Sequence, residues 1–214
     1  MDFSRLRKNM VERQIANRGI TNKRILSAFL EVPREEFVPP NMMRYAYEDG
    51  PVSIGFGQTI SQPYMSALMI ECLDPQPTDK VLEIGTGLGY QAAVLSRLSR
   101  VVYTVERIPG LAEQAKVILD KLGYNNVVVR VGDGTLGWPE FAPYDKIIVS
   151  AGAPSVPRRL LKQLKKGGRM VIPVGPRYSQ VLKVISKLSD DEVVEKEETP
   201  CVFVPLIGED GWQE

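Results

Sequence analysis

The chain reads KVLEIGTGLGYQAAVL from Lys80 to Leu95. A run of β-formers comes first, a helix-like segment ends the stretch, and between them stand Gly85, Gly87 and Gly89. Because glycine lacks a Cβ atom, such a turn tolerates positive φ and lets a ligand approach the backbone closely. The start of the following helix offers free N–H groups to a polar or anionic group. This stretch therefore predicts a strand, a ligand-binding turn and a helix.

The spacing of these glycines departs from the dinucleotide-binding fingerprint. The pattern G-x-G-x-x-G requires its third glycine at position 90, where this chain has Tyr90. Glycine-rich turns also occur for purely structural reasons, so a structural turn is the alternative interpretation. The order of strand, turn and helix favours a ligand site.

An acidic residue follows the next predicted strand. The apolar run of residues 101–105 ends at Glu106, about 20 residues past the glycine turn, where a carboxylate is placed to accept hydrogen bonds from ribose hydroxyls. The alternative is a solvated carboxylate near a helix start, favoured by the helix dipole. With the glycine turn upstream, Glu106 indicates a cofactor that carries a ribose.

Composition excludes several classes of function. The formal net charge of +1 gives no support for a nucleic-acid partner, and no apolar stretch is long enough for a membrane helix. The first ten residues lack the apolar core of a secretory signal, and we expect Cys72 and Cys201 to be free thiols in a reducing cytoplasm. The chain has no histidine, which removes the commonest general base and the commonest zinc ligand.

The order of predicted elements indicates the fold class. Strands and helices alternate from Val81 to Pro173, which predicts a three-layer α/β domain with a mostly parallel, twisted sheet. Residues 181–187 and 195–204 read as strands joined by a polar turn, which predicts an antiparallel hairpin added to that sheet. Residues 2–17 and 23–30 have helical spacing and predict an N-terminal helical extension.

Ser61 has two interpretations. It stands two residues before Pro63, which fits the first turn of a helix, so Ser61 is a candidate N-terminal cap or a residue next to the cap. A hydroxyl beside a helix start is also a good cradle for a carboxylate. The two roles do not exclude each other.

Several motifs give the chain a resemblance to a known family. KVLEIGTGLG and Glu106 resemble motif I and the following acidic position of the S-adenosylmethionine-dependent methyltransferases. GFGQTISQP, residues 55–63, is similar to the active-site loop of one family in that class, the protein-L-isoaspartate O-methyltransferases, whose active-site serine matches Ser61. YDKIIVSAGAP, KKGGRMVIPVG and VPLIG resemble the family's second and third motifs and its closing segment. The resemblance covers nearly the whole chain.

The resemblance implies a fold and a reaction. The fold would be the Rossmann-like methyltransferase fold, and the cofactor would be S-adenosyl-L-methionine, leaving S-adenosyl-L-homocysteine. Its methyl group would pass to the free carboxylate of L-isoaspartyl (or D-aspartyl) residues in damaged proteins, and the ester would then cyclise to a succinimide. A carboxylate is already ionised at neutral pH, so no general base is needed. What matters is alignment, and we expect Ser61 to orient the carboxylate, since a serine nucleophile would want a base partner.

The resemblance also implies partners, segments and site residues. The partners would be damaged proteins or peptides, with no metal, nucleic acid or membrane involved, and the protein would be a cytoplasmic monomer. One domain is expected, comprising an N-terminal helical extension (1–50), an active-site loop and helix (51–79), a cofactor-binding core (80–175) and a C-terminal hairpin and tail (176–214). The expected cofactor-binding residues are Ile60, Glu83, Gly85, Thr86, Gly87, Gly89, Glu106, Arg107, Asp133 and Gly134. The expected substrate-binding residues are Thr59, Ser61, Leu206 and Ile207, with Ser61 as the catalytic residue.

Three alternatives stay open. Asp133 is either a cofactor contact or an ordinary turn aspartate. A nicotinamide-dependent oxidoreductase would use the same layered fold, although Tyr90 in place of the third glycine argues against it. A non-enzymatic protein that binds S-adenosylmethionine would keep the glycine turn, although the intact loop around Ser61 argues against it.

Overall fold

A computed structural model describes residues 1–213 of the chain. Within them lie a two-stranded hairpin and a seven-stranded sheet. The strands are β1 (Val52–Gly55), β2 (Gln58–Ile60), β3 (Lys80–Ile84), β4 (Val101–Glu106), β5 (Val127–Val131), β6 (Tyr144–Val149), β7 (Leu164–Val174), β8 (Gln180–Lys187) and β9 (Val193–Cys201). The α-helices are α1 (Phe3–Asn9), α2 (Lys23–Glu31), α3 (Pro63–Leu73), α4 (Tyr90–Ser96), α5 (Pro109–Lys121) and α6 (Arg158–Gln163).

The order of strands across the large sheet is β5-β4-β3-β6-β7-β8-β9. The strands from β5 to β7 pair in parallel, whereas β7, β8 and β9 pair antiparallel. The predicted mostly parallel sheet with a C-terminal antiparallel hairpin is therefore confirmed. The chain winds outward from β3 to β5 and then returns to place β6 on the other side of β3. Open α/β sheets bind ligands at such a reversal, beyond the carboxyl ends of the strands.

The two faces of the sheet are buried against different layers. Neighbouring residues of β3 illustrate this, because Val81 packs with α2, α3 and α4 while Leu82 packs with α6 and the strands beside it. Both side chains are fully buried. Alternate burial on two faces accounts for the near-continuous apolar runs of the parallel strands.

Local sequence signals set the N-terminal helices. α1 continues into a π-helical turn (Met10–Ile15) and a 3₁₀ turn (Ala16–Arg18), and the chain turns at Gly19 with φ of 104°. The side chain of Asn22 accepts a hydrogen bond of 3.0 Å from the Arg24 N–H and so caps α2.

The structure differs from the prediction at three element boundaries. Residues 52–60, expected as a loop, form the β1–β2 hairpin, whose tip takes positive φ at Gly55, Phe56 and Gly57. The sequence predicts a helix over 157–164 and a strand over 169–173, whereas α6 ends at Gln163 and the chain enters β7 directly at Leu164, with a register shift in the pairing of β6 and β7 between residues 144 and 146. β9 ends at Cys201, and the chain then leaves the sheet.

The sequence also predicts that the chain has no membrane helix and that it divides into four segments. In residues 1–213, no helix combines the length and the apolar character that crossing a membrane would require. The division of the chain into four segments stays a prediction.

Candidate active site

A cleft of about 900 Å³, counted with its open mouth, lies at the carboxyl ends of β3, β4 and β6. This is the reversal point of the sheet, where open α/β folds bind their ligands. Many of the residues expected to bind the cofactor or the substrate line this cleft. They are Thr59, Ile60, Ser61, Gly85, Thr86, Gly87, Glu106, Arg107, Gly134, Leu206 and Ile207.

The glycine turn and Glu106 form one unit. Gly85, Gly87 and Gly89 take φ of 94°, 56° and 96°, a region that disfavours side-chain-bearing residues. The Glu106 carboxylate accepts hydrogen bonds from the backbone N–H groups of Gly87 (2.8 Å) and Ile108 (3.0 Å). The end of β4 therefore holds the turn that follows β3, and it leaves carboxylate lone pairs on the wall of the cleft.

Glu83 lies beneath the cleft and outside its wall. Its carboxyl is fully buried on β3 and accepts a hydrogen bond of 2.6 Å from the Thr104 hydroxyl, which in turn lies 2.7 Å from the hydroxyl of Thr86. Burial raises the pKa of the Glu83 carboxyl to about 8. At neutral pH Glu83 is therefore mostly a neutral acid, linked to the cleft wall through Thr86.

Two other predicted residues also lie off the wall. Gly89 is the cap residue of α4, and a Cβ there would lie 3.1 Å from Cδ1 of Leu119. Asp133 accepts hydrogen bonds from the Thr135 N–H (2.8 Å) and hydroxyl (2.7 Å), and its other oxygen accepts from the Glu209 N–H (2.8 Å). Asp133 therefore makes the contacts of a turn aspartate and also ties the C-terminal segment to the sheet, while its role toward a cofactor stays a prediction.

Of the two positions expected for Ser61 at the start of α3, the N-terminal cap itself is wrong and the place next to the cap is confirmed. The cap residue of α3 is Gln62, and no side chain there makes a capping hydrogen bond. Ser61 lies one residue further from the free N–H groups of the helix, and Pro63, at the first helical position, has no N–H. Among residues 1–213 the Ser61 hydroxyl has no hydrogen-bond partner, and Ser61 lies on the cleft wall.

Several residues of the cleft wall were not expected from the sequence. The Gln91 side-chain amide donates a 2.7 Å hydrogen bond to the hydroxyl of Ser150, and both residues line the cleft. Ser150 directly follows β6, so its position beside the reversal point was the signal that could have identified it. Ile54 and Leu88 form, with Leu111, a small apolar cluster at the cleft that comes from three distant parts of the chain.

The fold and the cleft together define an α/β protein with a ligand-sized cleft at the reversal point of its sheet. A model of the family described as protein-L-isoaspartate(D-aspartate) O-methyltransferase matches residues 5–211. The chain therefore belongs to this family. Its function is the reaction of the family, methyl transfer from S-adenosylmethionine to the carboxylate of isoaspartyl residues in damaged proteins and peptides.

Individual relatives agree over the full length. The protein-L-isoaspartate O-methyltransferase of Pelotomaculum thermopropionicum is 55% identical over 208 residues, covering 97% of this chain and 91% of the relative. That of Petrotoga mobilis is 53% identical over 213 residues, covering 99% of this chain and 100% of the relative.

Solved structures confirm the predicted methyltransferase fold. A protein-L-isoaspartate O-methyltransferase superposes with a TM-score of 0.85 at 35% identity, covering 96% of this chain and 67% of that one. A Plasmodium falciparum structure in complex with S-adenosyl-L-homocysteine superposes with a TM-score of 0.82 at 24% identity, covering 97% and 99% of the two chains, which supports the fold alone.

We expect Glu83→Gln to weaken the pH dependence of stability. The pKa of Glu83, about 8, exceeds its ordinary value of 4.5, so between these values the folded state holds a proton that the unfolded state has released. The resulting stabilisation is complete below pH 4.5 and is lost as the pH rises through 8. In wild type, this proton makes the free energy of unfolding fall by at most about 1.4 kcal/mol per pH unit between these two values, and the variant should lack this contribution.

Urea unfolding between these pH values measures this slope. Glu113→Gln, which changes an exposed carboxyl on α5, is the matched control. Parallel pH profiles for wild type and Glu83→Gln would show that Glu83 does not hold a proton in the folded state.

Proposed function

We propose that the cleft binds S-adenosylmethionine between the glycine turn and Glu106, and that Ser61 orients the isoaspartyl carboxylate. The observation that carries this proposal is the unpartnered Ser61 hydroxyl, on the wall of the same cleft as Gly87 and Glu106. Leu206 and Ile207 line the same cleft from the C-terminal segment, and we propose that they contact the substrate together with Thr59.

The chemistry of the cleft wall fits the cofactor. A ribose needs an acceptor, which Glu106 offers, and an adenine ring needs apolar walls, which Val105, Leu88 and Ile108 offer. Gly134 also lines the cleft, and a Cβ there would lie 2.4 Å from Cγ2 of Ile84, so the wall has no space for a side chain at this position. We retain Ile60, Thr86 and Arg107 as further proposed cofactor contacts on this wall.

Ser61 has a defined task in this mechanism. When bound, S-adenosylmethionine supplies an electrophilic methyl group. The substrate carboxylate is already ionised, so the chain has no proton to remove from it. Moving a carboxylate out of water is costly, and the Ser61 hydroxyl replaces part of its hydration by donating one hydrogen bond. Fixing that carboxylate in line with the methyl group is catalysis by proximity.

The assay that tests this proposal compares matched peptides carrying Asp or isoAsp, with labelled cofactor. Wild type should label the isoAsp peptide alone. Ser61→Ala should lower its turnover about 10- to 100-fold, the equivalent of one hydrogen bond to a charged group. Since Ser61 caps nothing, the stability of the variant should stay within about 0.5 kcal/mol of wild type.

The control for Ser61→Ala is Ser53→Ala, which removes an exposed hydroxyl from β1 of the same hairpin. Calorimetry with S-adenosylhomocysteine should give wild-type affinity for both variants. Normal turnover of fully folded Ser61→Ala would refute the role of the hydroxyl, and labelling of neither peptide by wild type would favour a protein that only binds the cofactor.

Glu106→Gln should weaken binding of S-adenosylhomocysteine by about 1–3 kcal/mol, because the charged acceptor for the ribose hydroxyls is lost. Removing the 2′-hydroxyl of the ligand's ribose should cost less affinity in the variant than in wild type, and calorimetry measures both losses. Glu113→Gln is again the control. If the analogue loses the same affinity in wild type and in the variant, Glu106 supports the turn through Gly87 and does not contact the ribose.

We also propose that the protein acts as a monomer in a reducing cytoplasm. Cys72 and Cys201 are free thiols, which suits a reducing compartment. Light scattering should give a mass near 23.9 kDa at micromolar concentration. A mass that doubles with concentration would contradict the monomer.

A further inference from the structure

Arg34 is a buried cation that touches the active-site loop. It belongs to a short 3₁₀ turn (Arg34–Phe37) in the N-terminal extension, and its side chain is fully buried. Its Nε donates a 2.6 Å hydrogen bond to the carbonyl of Ala46, and its Nη2 donates a 2.8 Å hydrogen bond to the carbonyl of Ser61. One guanidinium thus links three segments of the chain.

The same guanidinium lies against a residue of the cleft wall. Its Cζ lies 4.7 Å from the ring centroid of Tyr90, a cation–π contact, and Tyr90 lines the cleft. Tyr90 is itself enclosed by the edges of Phe29 and Phe37. Arg34 therefore holds both the backbone of Ser61 and an aromatic side chain of the wall.

Arg34 is also costly to bury. No carboxylate of residues 1–213 lies within ion-pair distance of it, and its Nη1 has no hydrogen-bond partner among these residues. Burial lowers the pKa of the guanidinium from its ordinary value, although arginine stays charged in proteins. An unpaired buried cation opposes folding, so its packing beside Ser61 calls for a functional explanation.

We propose that Arg34 is a positioning residue for the substrate carboxylate. It acts through the Ser61 carbonyl, which it fixes so that the Ser61 hydroxyl points to one place in the cleft. This inference rests on the role of Ser61 proposed above. Lysine cannot replace the guanidinium fully, because an ammonium lacks the planar fork that reaches two carbonyls while stacking on a ring.

The chain contains a more exposed arginine that makes a similar bridge between chain segments. Arg24 on α2 donates through its Nη2 to the carbonyls of Pro75 (2.8 Å) and Leu98 (3.3 Å), and it does not line the cleft. Arg24→Met therefore removes a similar bridge between chain segments without a path to Ser61.

The experiment measures kcat and KM for an isoaspartyl peptide, affinity for S-adenosylhomocysteine, and thermal unfolding, all below the first unfolding transition. Arg34→Lys should lower kcat/KM for the peptide about 10-fold and Arg34→Met about 100-fold, while affinity for S-adenosylhomocysteine changes less than 2-fold. Arg24→Met should lower the unfolding temperature and leave kcat/KM unchanged. If Arg34→Met does not fold, Arg34→Lys carries the test.

A double-mutant cycle separates this inference from the role of Ser61. If Arg34 acts through Ser61, Arg34→Lys should cost less than 2-fold in kcat/KM when Ser61 is already alanine. A 10-fold loss in both backgrounds would overturn the positioning role while leaving Ser61 intact. Unchanged kcat/KM for Arg34→Lys in wild type would also overturn it. No effect of Ser61→Ala alone would instead refute the proposed function.

Discussion

The Glu106 carboxylate accepts hydrogen bonds from the backbone of Gly87 and Ile108, and the rest of the site depends on this contact. The turn after β3 leaves the sheet through backbone conformations that favour glycine. The three glycines of this turn have no side chains to pack, and Glu106 adds an anchor from a neighbouring strand. β4 pairs in parallel with β3 and therefore ends beside the turn, where its last residue is the anchor.

Buried polar groups surround the cleft where an apolar core would be cheaper. Glu83, Thr104 and Thr86 form a hydrogen-bonded chain under the glycine turn, and Arg34 lies behind Ser61. Each costs desolvation energy, and each is useful only in a single geometry. The buried Glu83 carboxyl and the Arg34 guanidinium both lie directly behind residues of the cleft wall. The desolvation energy is therefore spent where the position of the backbone matters most for binding a ligand.

The C-terminal segment completes the cleft through an isolated parallel β-bridge between Gly152 and Pro205 and through side-chain hydrogen bonds. After β9 the chain returns to the reversal point, where Asp133 accepts from the Glu209 N–H and the Trp212 indole donates to the carbonyl of Gly152. These bonds place Leu206 and Ile207 on the wall. The segment thus depends on the backbone of Gly152 and the side chain of Asp133, which follow two strands that are distant in the sequence.

The sequence by itself determined the α/β class, the glycine turn, the acidic end of β4 and the C-terminal hairpin. Each is a local signal, because strand period, glycine spacing and turn residues act over a few neighbouring positions. Tertiary structure alone decided that Ser61 is not a cap, that Glu83 is buried below the wall, and that Arg34 reaches Ser61 across 27 positions. Hydrogen-bond partners and burial of this kind depend on how distant segments pack, and no local pattern encodes that packing.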